Sequence, residues 1–85
     1  MITNQQVHLS GAAYAIRVFG GVRATARLVG RDPSIICRWQ RPREVGGQGG
    51  LVPAAMQREL LRLAAARGLP LTADDLVNGR TVDVA

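Results

Sequence analysis

Apolar residues recur at three- and four-residue intervals along most of the chain, and glycines and prolines cut that rhythm into short pieces. Ala12, Ile16 and Phe19 fall on one helical stripe with Ala15 beside them. Ser10 is placed to cap the helix, and Gly20-Gly21 to end it near Phe19. Val22, Ala26 and Val29 share a face of a second helix that stops at Gly30. Asp32-Pro33 is the clearest helix start in the chain, an Asp cap followed by a proline at the first helical position. That third helix runs to about Gln40 and is stopped by Arg41-Pro42, since proline disfavours a helical residue before it. Pro53 opens the longest helix, to about Arg67, with Met56, Leu60, Leu63 and Ala64 as its inner stripe. Thr72-x-x-Asp75 has the form of a capping box for a last short helix bearing Leu76 and Val77, ended by Asn78-Gly79.

The pattern predicts an all-α fold, a compact bundle of about five short helices. Residues 10–78 form the domain, 1–9 a lead-in with no clear period, and 79–85 a loose tail. No alternation long enough for a strand stands out, and no repeat. The stretch Glu44–Gly50, EVGGQGG, reads as a flexible loop. No strand precedes it and no Lys-Ser/Thr pair follows, so it is not read as a nucleotide-binding loop. At 85 residues the core is limited, and dimerisation is a natural supplement.

Charge sharpens this picture. Residues 17–43 hold seven arginines against the single acid Asp32, a net of +6, whereas residues 44–85 are net −1. The excess of a +5 chain therefore sits on one third of it, as expected for a polyanion partner. All eleven basic residues are arginine. Genomic base composition explains that bias as readily as function does, but it supplies planar forks suited to phosphates and guanine edges.

Other chemistries find little support. Cys37 and His8 are each single, the acids are scattered, and no nucleophile–base pair or metal-ligand set can be drawn, so neither an enzyme nor a cofactor is expected. No apolar run approaches membrane-spanning length and no signal pattern opens the chain, which predicts a cytoplasmic protein.

On a 100° wheel the third helix divides. Asp32, Pro33, Ile36, Trp39 and Gln40 cluster on one side, while Ser34, Arg38 and Arg41 lie opposite, flanked by Ile35 and Cys37. The spacing of Ala26, Gly30, Ile36 and Trp39 resembles the helix-turn-helix of the Cro/CI-like, lambda-repressor-like proteins. More narrowly, FGGVRATARLVG, IICRWQ, LVPAAMQ and LTADDL together resemble the small YdaS-type, Cro-like proteins of phages and prophages, over roughly residues 12–78. Thr25 departs from that pattern, standing where the group usually has leucine, and so does Arg31, where a small apolar residue often plugs the turn.

The resemblance implies a sequence-specific regulator of transcription, commonly a repressor, bound to double-stranded DNA. In such a motif the second helix enters the major groove and the first crosses the backbone. Arg38 and Arg41 are then expected to read guanine, Ser34 a base edge, and Ile35 and Cys37 to meet thymine methyls, with helix 33–41 inserted. Arg23, Arg27 and Arg43, with the N–H groups at the Val22 helix start, are the phosphate candidates. Arg31 is divided between a structural role in the turn and a DNA contact.

Tyr14, Val18, Leu28 and Leu61 lie off their helices' inner stripes, as residues covered in a homodimer would, and a homodimer suits a palindromic operator. The alternative is a protein-interaction module, such as an antitoxin or phage accessory factor, using the same helices.

Overall fold

The computed structural model describes residues 5–83. In chain order the elements are β1 (Gln6–Leu9), α1 (Gly11–Val18), α2 (Val22–Val29), α3 (Pro33–Gln40), α4 (Ala54–Ala66), α5 (Ala73–Asn78) and β2 (Arg80–Asp83), with a single 3₁₀ turn at Arg43–Val45. No helix among them is long and apolar enough to cross a membrane.

Each predicted helix forms, and the local signals act as expected. Ser10 Oγ accepts the Ala13 N–H at 3.1 Å, satisfying a donor that the first turn of α1 would otherwise leave open. Thr72 and Asp75 cap α5 reciprocally: the Thr72 hydroxyl accepts the Asp75 N–H at 3.2 Å, and the Asp75 carboxylate accepts the Thr72 N–H at 3.0 Å. The core is one cluster drawn from every helix, with Trp39, Ile36, Leu60 and Leu76 its largest fully buried side chains.

The expectation of an all-α chain is corrected at both ends. β1 and β2 pair antiparallel, with Val7 opposite Val82 and His8 opposite Thr81, so part of the expected lead-in and part of the expected tail form a small sheet. Residues 1–4 and 84–85 of those two segments lie outside the described residues. His8 ties the ribbon to α5: one ring nitrogen donates to the Asn78 carbonyl at 2.9 Å and the other accepts from the Thr81 hydroxyl at 3.0 Å. Four-residue strands are too short for their alternation to stand out, and their partners lie at opposite ends of the sequence.

Tyr14 is likewise not a surface residue. It is buried, its hydroxyl donates to the Pro70 carbonyl at 3.1 Å, and the Arg80 guanidinium lies 5.7 Å above its ring. A single-stripe wheel misses this because α1 is central, in contact with α2, α3, α5 and β1. Val18, Leu28 and Leu61 are half-buried against the same core, which leaves less apolar surface for a partner than the pattern suggests.

Candidate nucleic-acid interface

The basic third of the chain folds as α2, a three-residue turn and α3. Gly30 takes the left-handed conformation at φ +67°, and the Ala26 carbonyl accepts both the Gly30 and Arg31 N–H groups, which closes α2. Thr25 is wholly buried within α2, and its hydroxyl donates to the Gly21 carbonyl at 2.7 Å, so the buried polar group is not left unpaired.

α3 is fixed at both ends. At its start the Asp32 carboxylate accepts the Ser34 N–H at 2.9 Å. That bond, helped by the Ser34 hydroxyl, holds the Asp32 carboxyl below its ordinary value and keeps it ionised. At its end the loop expected to be flexible closes onto the helix. Gln48 N–H donates to the Arg38 carbonyl at 3.0 Å, Gly49 N–H to Arg41 at 2.8 Å and Gly50 N–H to Trp39 at 2.8 Å. The Gly50 carbonyl in turn accepts the Ala12 N–H at 2.9 Å, stitching the C-terminus of α3 to the N-terminus of α1. The loop therefore satisfies groups that two helix ends leave open, which explains why a glycine-rich segment is ordered.

Between these fixed ends α3 presents two faces. Ile36 is 0% and Trp39 2% exposed, while Ser34 and Arg38 are exposed, Ile35 is 38% exposed and Cys37 is half-buried. Asp32, Pro33 and Gln40, assigned by the wheel to the inner side, are exposed as well. They lie at the two ends of the helix, Asp32 as its cap, Pro33 as its first residue and Gln40 as its last. The helix also ends one residue earlier than its inserted span of 33–41. Arg41 is extended at φ −69° and ψ 146°, so the wheel position that aligned it with Arg38 does not apply. Arg41 is exposed, as is Arg43 in the 3₁₀ turn that follows.

α2 carries Arg23 and Arg27, both exposed. Its start is open: no side chain caps it, so the Val22 N–H and its neighbours keep no side-chain acceptor. α1, α3 and α5 are all capped by Ser10, Asp32 and Thr72. The ion pairs among the described residues are Arg62 with Glu59 and Arg80 with Asp75, so Arg23, Arg27, Arg31, Arg38, Arg41 and Arg43 are all unpaired there.

A groove of about 610 Å³ opens between α2 and the start of α3, lined by Arg23, Ala26, Arg27, Gly30, Arg31 and Pro33. Sequence reasoning did not find it, because it depends on how α2 and α3 lean together. The signal within reach was the i, i+4, i+8 spacing of its three arginines. Among the described residues no three His, Cys, Asp or Glu side chains gather as a metal site would require. Comparison with protein-family models, curated proteins and solved structures finds no match to this chain.

Proposed function

We propose that the chain is a sequence-specific double-stranded DNA-binding regulator of transcription, a repressor of the phage and prophage type, that inserts α3 into the major groove. The observation that carries this reading is the division of α3. Ile36 and Trp39 anchor one face in the core while Ser34, Ile35 and Arg38 stand exposed on a helix whose ends are both tied down. A rigid helix presenting a fork-shaped cation beside a hydroxyl suits base edges, which reward fixed geometry.

In this reading Arg38 takes guanine, and Ser34 takes a base edge near the helix start. Ile35 and the half-buried Cys37 meet thymine methyls. Arg41, beyond the helix end, reaches the outermost base or its phosphate. Arg23, Arg27, Arg43 and the open Val22 N–H bind the backbone. One such module spans few base pairs, so two copies act as a homodimer on a palindromic operator. The protein-interaction alternative draws on the exposed Ile35 and, at 66% exposure, Val45. It predicts weak DNA binding with little response to salt.

Selection of bound duplexes from random DNA, followed by titration of the chosen site, tests the proposal. With roughly three or four phosphates neutralised per subunit, affinity should fall about 10³–10⁵-fold between roughly 50 and 200 mM salt. A flat response, or no site that survives competitor DNA, overturns it. Arg38→Ala should cost about 1–3 kcal/mol on the chosen site and relax preference at one base pair, whereas Arg23→Ala should weaken all sequences alike.

A further inference from the structure

We propose that the groove between α2 and the start of α3 is a seat for a run of linked phosphate groups, gripped by Arg23, Arg27 and Arg31. It is distinct from the base-reading face, because Ser34, Ile35, Cys37, Arg38 and Arg41 take no part in its lining. Its lining holds three arginines and no carboxylate, and the other lining residues, Ala26, Gly30 and Pro33, are uncharged. The nearest acid in sequence, Asp32, stays ionised but is not among the lining residues, and its carboxylate accepts the Ser34 N–H.

Arg23 and Arg27 stand about one turn apart, ~6 Å along the α2 axis, and Arg31, beyond the left-handed Gly30, lines the same groove. Arg31 is divided in role: its backbone N–H is held by the Ala26 carbonyl, which fixes the turn, while its side chain is exposed and lines the groove. Three arginines that line one groove without an ion-pair partner among the described residues suit a ligand that carries several linked charges. Linked phosphates bring a charge on every group and accept from guanidinium bidentately. A protein carboxylate would have to carry its own chain into a space of about 610 Å³.

Two sources share this chemistry: the backbone of a DNA duplex and a free polyphosphate or nucleotide. Only the first rests on the DNA-binding reading. Inorganic tripolyphosphate is the probe for the second, titrated by calorimetry against the full chain, with amide shifts followed by NMR. A free-ligand seat gives saturable one-to-one binding and shifts centred on Ala26, Gly30 and Arg31. Arg27→Gln and Arg31→Gln then each weaken it about tenfold, as expected for losing a charge-assisted contact. Arg67→Gln, at the C-terminal cap of α4 and outside the groove's lining, leaves it unchanged.

For the duplex source, Arg31→Gln lowers the salt slope of DNA binding by about one, and tripolyphosphate displaces DNA. Either positive result supports the seat and identifies its source. Unsaturable tripolyphosphate binding together with an unchanged salt slope in Arg31→Gln overturns it. So does an equal loss in Arg67→Gln, which would mark a response to net charge alone, or equal affinity for triglutamate. Saturable tripolyphosphate binding by a chain that binds no DNA would sink the DNA reading and leave the seat standing.

Discussion

Two glycines flank α3, and each is required for a different reason. Gly30 sits in open space but at φ +67°, a conformation that side-chain-bearing residues rarely take. Gly47 does not need positive φ. It needs room, since a Cβ there would strike the Arg41 carbonyl and the Arg41 side chain. The first is a requirement of the local chain and is met within a few residues. The second is a requirement of packing, created when the 41–52 loop folds back onto the end of α3. The start of the helix that we propose reads DNA is thus held by its own turn, and its end, where Pro42 stops it, is held by the loop that folds back on it.

The difference can be broken most severely at Gly47. Gly47→Ala should destabilise the protein by about 2–3 kcal/mol, because the loop must move off the helix end or strain to stay. Urea unfolding measures the loss, and DNA preference should degrade with it as α3 loses its fixed C-terminus. Gly30→Ala should cost less, about 1–2 kcal/mol, through backbone strain alone. Gly30→Asn should recover part of that, since asparagine tolerates the left-handed region, whereas Gly47→Asn should be no better than Gly47→Ala. A Gly30→Asn variant as unstable as Gly30→Ala would show that space, not conformation, limits that turn.

The smallest effect is at the start of α3. Because the Asp32 carboxyl is held low, chiefly by the Ser34 backbone N–H, the folded state favours its ionised form. The stability it contributes is complete above the unfolded carboxylate range and lost as pH falls through the lowered folded value. The pH dependence of thermal unfolding should therefore be shallower at its acid end in Asp32→Asn. The effect should be slight, because the site is exposed to solvent.

The same division between local and distant causes runs through the whole molecule. Ser10, Gly30, Asp32-Pro33 and Thr72-x-x-Asp75 act on groups two to four residues away, so the number, order and limits of the helices follow from the sequence alone. So does the split of α3 into a core side with Ile36 and Trp39 and an outer side with Ser34 and Arg38. Period and charge are properties of a single helix. Tertiary structure decided the rest: the pairing of Val7 with Val82, the burial of Tyr14 under Pro70, the ordering of Gln48–Gly50 on α3 and α1, and the meeting of three arginines in one groove. Each of those depends on which segments come together in space. A hydrogen bond between Ala12 and Gly50 leaves no trace in the residues beside either of them.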